Sequence, residues 1–137
     1  MTREERLEYV KYRIESARKT FQAAKVLSDN GFWNSAVNRL YYAVFYAVNA
    51  LLVLNEIQTK SHSSTKSQFA LHFVKSGRFD KKYGRLLSEL FDWRQKGDYE
   101  NIFDYNSDLV EQLFEPTLEM IELIEKEINN TNLLTSK

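Results

Sequence analysis

The stretch Asn34–Leu54, NSAVNRLYYAVFYAVNALLVL, decides how this chain folds. Val37, Leu40, Tyr41, Val44, Phe45, Val48, Leu51 and Leu52 recur at i, i+3 and i+4 spacing, the stripe of an α-helix of about six turns. Tyr42, Ala43, Tyr46 and Ala47 make the opposite side apolar as well. A helix that is apolar all round needs other helices, or a second subunit, on every side. Asn38, Arg39 and Asn49 interrupt it. A charge in so apolar a helix must be paired or line a site, because burying it alone costs too much. The alternative is that Arg39 lies near the helix entrance and reaches water along its own stem.

Upstream, Thr2 and Glu5 stand at capping-box spacing, and Leu7, Val10, Ile14, Ala17, Phe21, Ala24 and Leu27 form an inward stripe. Asn30-Gly31 supplies a helix stop. Phe32-Trp33 leads straight into the central helix, so the first two helices are expected to lie antiparallel. Downstream, Asn55 to Ser64 is polar and aperiodic and reads as a loop. A short helix is expected over 64–76, with Phe69, Ala70, Phe73 and Val74 inward and Gly77 ending it. The next helix starts near Asp80, carries Tyr83, Leu86, Leu87, Leu90 and Phe91, and stops or bends at Gly97. Residues 101–105 read as irregular. A last helix over 106–130 carries Val110, Leu113, Phe114, Ile121, Ile124 and Ile128, with a kink expected at Pro116. Residues 131–137 read as a frayed polar tail. The expected fold is all-α, one domain over residues 1–130: an antiparallel up-and-down bundle of four long helices plus one short one.

Composition agrees with that reading. Four Gly and one Pro in 137 residues leave little punctuation for a sheet. The absence of cysteine excludes disulfides and thiolate zinc sites. The amino terminus, MTREERLEYV, lacks the apolar core of a signal peptide, and Asn and Arg in the central helix argue against lipid. A soluble, cytoplasmic protein without membrane contact is the expectation. The net charge of zero hides a strong polarity. Residues 60–96 hold nine Lys and Arg against three acids, and residues 98–127 hold ten acids against Lys126 alone. Such a chain can pair its own halves, steer a charged ligand, or meet a partner of complementary sign.

A second stretch, Phe91 to Tyr99, carries the candidate chemistry. Arg94 follows Leu87 by seven residues and Leu90 by four, which sets it on the buried stripe of its own helix. Its local partner is Asp98 at i+4, and Tyr99 brings a hydroxyl to the same end. Either this is a structural Arg–Asp pair closing a helix, or it is a small polar site where an arginine meets an anion such as a phosphate. No Gly-rich phosphate loop, Ser/His/Asp set or metal-ligand spacing accompanies it, and no cofactor or metal is implied. His62 and His72 read as loop or surface histidines.

Together, Asn38-Arg39-Leu-Tyr41-Tyr42-Ala43-Val-Phe45, Ser61-His62-Ser, His72-Phe-Val-Lys-Ser-Gly77 and Arg94-Gln-Lys-Gly-Asp98-Tyr99 resemble the HEPN family (higher eukaryotes and prokaryotes nucleotide-binding). The resemblance runs from about residue 5 to residue 128 and is nearest to the small, stand-alone prokaryotic members. It implies a helical bundle that dimerises with the polar motif near the seam. It also implies engagement of nucleotide or RNA, and pairing with a minimal nucleotidyltransferase in toxin–antitoxin-like modules. Many members are metal-independent ribonucleases with Arg, four to six residues, then His. Here those positions after Arg94 hold Tyr99, Glu100 and Asn101. A tyrosine, with a pKa near ~10, is a poor substitute for imidazole at neutral pH.

The resulting expectation is a binding module in which Asn38, Arg39, Arg94, Asp98 and Tyr99 surround a nucleotide or phosphate group. The rivals are a ribonuclease using Arg94 with Tyr99 or His62, and a purely structural scaffold. Nineteen Phe, Tyr and Trp residues exceed what one four-helix core absorbs, which marks Trp33, Tyr42, Tyr46 and Trp93 as homodimer-interface candidates.

Overall fold

The computed structural model describes residues 1–99 and 104–135, with side chains for 1–98 and 104–131 of these. Helix α1 spans Arg3–Asp29, α2 Trp33–Leu54, α3 His62–Phe69, α4 Lys81–Tyr99 and α5 Ser107–Thr135; a π-helical turn, Ala70–Val74, continues α3. No strand occurs among the described residues. The all-α expectation holds.

Cross-helix pairs fix the directions. Arg6 meets Glu56 and Tyr9 meets Asn49, so α1 and α2 run antiparallel. Asn34 reaches Gly97 while Tyr42 reaches Arg94, which makes α2 and α4 antiparallel. Arg18 pairs with Glu125 and Phe21 packs on Phe114, so α5 opposes α1. Four long helices and one short one therefore form an up-and-down bundle.

Helix α2 lies at its centre, packed against α1, α4 and α5. Half of its residues are buried, from Ala36 and Val37 through Leu51 and Leu52. By length and composition alone this helix could cross a membrane, yet more than half of its most apolar stretch is enclosed by its neighbours. Its apolarity is that of a core helix.

The hairpin between α1 and α2 ends as its residues dictate. Gly31 takes φ +78°, the Phe32 N–H reaches the Leu27 carbonyl and the Gly31 N–H reaches the Ser28 carbonyl. That closes the orphan carbonyls of α1 in a Schellman motif. The end of α2 repeats the pattern with a glutamate, Glu56 at φ 59°, in the left-handed position.

Three expectations need correction. The short helix begins at His62, because Ser61 caps it and Ser64 bonds back to the Ser61 N–H. It turns π-helical at Ala70, where the Lys75 N–H bonds to the Ala70 carbonyl; Phe69 and Phe73 stay buried but Ala70 is exposed. Helix α5 contains Pro116, as expected, but it runs to Thr135 instead of ending at Asn130. The expected irregular stretch 101–105 lies mostly outside the described residues; only Asp104 and Tyr105 belong to them.

Candidate functional site around Arg94

Arg94 reaches the interior as its spacing requires: it continues the Leu87–Leu90 stripe of α4 against α2, and its side chain is only 9% exposed. Three rings enclose the guanidinium. Its central carbon lies 5.1 Å from the centroid of Tyr41, 5.6 Å from Tyr42 and 5.8 Å from Phe91. Cation–π attraction offsets part of the desolvation, but it supplies no acceptor for the N–H groups. Nη1 donates a long 3.4 Å hydrogen bond to the Tyr42 hydroxyl and stands 3.9 Å from Asp98 Oδ2. Nε is buried with no hydrogen-bond partner among the described residues. A buried donor in that state costs about 1–3 kcal/mol.

The expected Arg94–Asp98 pair is therefore loose, and the reason is Asn38. Its amide Nδ2 donates to Asp98 Oδ2 at 2.8 Å, drawing the carboxylate toward α2. Asn38 Oδ1 accepts from Arg39 Nε at 2.9 Å and from Arg39 Nη2 at 2.6 Å. One carboxamide thus joins Arg39 to Asp98. Arg39 is half-buried, with its guanidinium 5.1 Å from the Tyr42 ring, so it lines the rim while Arg94 alone is enclosed. The Tyr99 side chain lies outside the described residues, as do Glu100 and Asn101.

His62 is the residue that sequence reasoning misplaced. It is no loose loop histidine. The first residue of α3, it stacks on Phe45 at 4.5 Å between centroids with 23° between planes. Its Nδ1 lies 2.6 Å from the Tyr41 hydroxyl. Burial first, and the Arg94 charge second, hold the imidazole pKa below its ordinary value. Burial raises the Tyr41 pKa well above the phenol range, against a smaller lowering by Arg94. The Ser61-His62-Ser-Ser64 spacing was the available signal, since two serines three apart can cap a helix and so fix its first turn. His72, by contrast, is exposed and meets Gln68 one turn away.

A second missed group, Asn34, holds the far end of α4. Its Oδ1 accepts the Tyr105 N–H at 2.9 Å, while the Tyr105 hydroxyl donates to the Trp93 carbonyl at 2.7 Å. Gly97 permits this close approach, because a Cβ there would lie 3.1 Å from Tyr105 Cε2.

Elsewhere the charged halves pair with each other. Arg78 meets Glu127, and Lys82 meets Glu119 at 3.2 Å. A groove of about 440 Å³ between α4 and α5 is lined by Leu86, Trp93, Leu109, Leu113 and Pro116. On its rim Lys82 is matched by Glu119, and Arg85, which also lines the groove, is exposed to solvent, so neither is a buried cation. Arg94 differs in that respect.

A bundle whose central helix presents Asn38, Arg39 and an aromatic cage to a buried arginine on α4 is a helical domain with a built polar site. The HEPN domain model matches residues 10–128. This chain belongs to the HEPN family. A UPF0332 protein of Thermotoga maritima is 32% identical over 126 residues, covering 92% of this chain and 96% of that relative. A protein of Methanocaldococcus jannaschii named "Putative toxin MJ0142" is 31% identical over 121 residues, 88% of this chain and 82% of its own. From the same organism, "Putative toxin MJ0605" is 37% identical over 86 residues, 63% of this chain and 64% of its own.

Proposed function

We propose that this chain is the HEPN component of a toxin–antitoxin-like pair, working as a homodimer beside a minimal nucleotidyltransferase. Its Arg94 site binds the phosphate of a nucleotide, with Asn38, Arg39, Asp98 and Tyr99 around it. The observation that carries the reading is Arg94 itself. Its guanidinium is nine-tenths buried, its nearest carboxylate is turned toward Asn38, and its Nε lacks an acceptor among the described residues. A phosphate oxygen is the acceptor such a fork takes best. The half-exposed faces of Tyr42, Phe45 and Phe91 beside it offer a nucleobase a stacking surface. The names of the two Methanocaldococcus jannaschii relatives support the toxin-like setting.

Titrating ATP, AMP and a short single-stranded RNA against wild type and Arg94→Ala tests the ligand claim. Saturable binding by wild type that Arg94→Ala loses, with the helical fold intact, is the expected result. Binding by neither protein removes the claim. Incubating the RNA in chelator with both proteins separates binding from cleavage: strand scission lost in Arg94→Ala would make the chain a ribonuclease instead. Copurification of a nucleotidyltransferase with the tagged chain from its native cells tests the partner.

A further inference from the structure

We propose that His62 is a further arm of the Arg94 site: a neutral imidazole whose Nε2–H donates to the same anion that Arg94 receives. The inference rests on the phosphate-binding reading and adds a residue, a tautomer and a direction of hydrogen bonding to it.

Position comes first. The centroid of His62 lies 5.7 Å from that of Tyr41, 5.8 Å from Tyr42 and 6.5 Å from Phe91. These are the three rings that enclose the Arg94 guanidinium. Two groups held on the same three rings can meet one small ligand. The imidazole is also rigid, because it is stacked on Phe45 and belongs to the first turn of a helix fixed by the Ser61–Ser64 capping box. Preorganised donors of this kind lose little freedom when a ligand arrives.

The tautomer follows from Tyr41. That ring is 1% exposed, and its hydroxyl has one hydrogen-bonding neighbour among the described residues, His62 Nδ1. A buried O–H must donate, so Tyr41 donates to Nδ1, and the imidazole hydrogen resides on Nε2. His62 is half-exposed, and its Nε2 has no partner among the described residues, which leaves that N–H open to an incoming molecule. The groups facing the ring are Tyr41 and Tyr42 from α2 and Arg94 from α4, with Lys66 of its own helix 4.7 Å over Phe91. In that company the imidazole stays neutral near neutral pH and adds a directed donor without a second buried cation. With Nδ1 engaged by Tyr41 and Nε2 protonated, no lone pair is free to abstract a proton. His62 therefore holds a ligand and does not activate a hydroxyl.

The test is calorimetric titration of AMP near neutral pH into wild type, Arg94→Ala, His62→Ala and His62→Gln, alongside nitrogen-15 spectra of the wild-type imidazole. Loss of binding in Arg94→Ala, a roughly tenfold weakening in His62→Ala and partial recovery in His62→Gln are expected, since Gln restores a donor at the outer position. The spectra should show hydrogen on Nε2, with that nitrogen shifting as AMP is added. Unchanged affinity in His62→Ala, with Arg94→Ala still inactive, overturns the role of His62 and leaves the Arg94 site standing. Absence of AMP binding to wild type overturns both. Hydrogen found on Nδ1 overturns the donor assignment whatever the affinities, even should His62→Ala fail to fold.

Discussion

Arg94 and Asn38 show how two side chains divide one carboxylate. Asp98 sits at the i+4 position where a helical Arg–Asp pair forms, yet its Oδ2 is 2.8 Å from Asn38 Nδ2 and 3.9 Å from Arg94 Nη1. Removing the amide in Asn38→Ala should release Asp98 toward Arg94 and cost about 1 kcal/mol of stability from the lost bonds. Urea denaturation of the two proteins measures it, and a stabilised Asn38→Ala would contradict the arrangement. The His62–Tyr41 bond makes a pH prediction. The folded imidazole pKa is lowered by burial and by Arg94, so the unfolded chain, with His near ~6.5, takes up the proton first as pH falls. The contribution of His62 to stability is whole above the unfolded value and is lost as pH drops through the folded one. Melting temperature should therefore fall more for wild type than for His62→Gln between about pH 7.5 and about pH 5.5. Equal falls would show that the imidazole is not held neutral. Arg94 was legible in the sequence because its position relative to Leu87 and Leu90 is local. The place of His62 was not, because its partner Tyr41 is 21 residues away across a helix junction that spacing alone does not fold.

At the scale of the element, α2 was legible for the opposite reason to α3. Its period persists from Val37 to Leu52, and the buried set in the structure is that stripe, except for the half-exposed Phe45, plus the alanines behind it. Helix α3 and its π turn have few apolar positions and take their course from Ser61 and from Phe69, Phe73 and Phe79 packing together. The last helix also buries Thr117 and Met120, which lie outside the stripe of Val110, Leu113, Phe114, Ile121, Ile124 and Ile128 read from the sequence. Two glycines offer tests. Gly31 has φ +78°, and a Cβ there would lie 4.0 Å from Trp33 Cζ2, an ordinary contact, so Gly31→Ala should cost about 1–2 kcal/mol through backbone strain alone. Gly97 lies in α4 with ordinary helical φ, where alanine would normally gain about 1 kcal/mol. Tyr105 is pinned by Asn34 and by the Trp93 carbonyl, so it cannot yield to a Cβ at 3.1 Å. Gly97→Ala should therefore destabilise; a gain in midpoint would mean that the end of α4 is looser than these bonds imply.

For the whole molecule, the zero net charge conceals a basic and an acidic stretch that meet across the bundle through Arg78–Glu127 and Lys82–Glu119, while Arg18 of α1 meets Glu125. All three pairs are partly exposed, and such pairs contribute at most about 1 kcal/mol each. They orient the helices more than they hold them together. The core of α2 with Leu87, Leu90, Ile121 and Ile124 does the latter. Trp33, Tyr42, Tyr46 and Trp93 are each half-buried in the single chain, and the proposed homodimer would cover aromatic surface of this kind. Light scattering at micromolar concentration should give twice the chain mass, and a monomeric mass would remove the dimer from the account.

Ligand capture at this site centres on the Arg94 guanidinium. In a nitrogen-15 correlation spectrum the Arg94 Nε–H, shielded from solvent, should give a resolved signal that moves saturably as AMP is added, with the half-point that calorimetry gives. An Nε–H signal that stays in place while calorimetry saturates would put the ligand elsewhere and leave Arg94 as a structural residue.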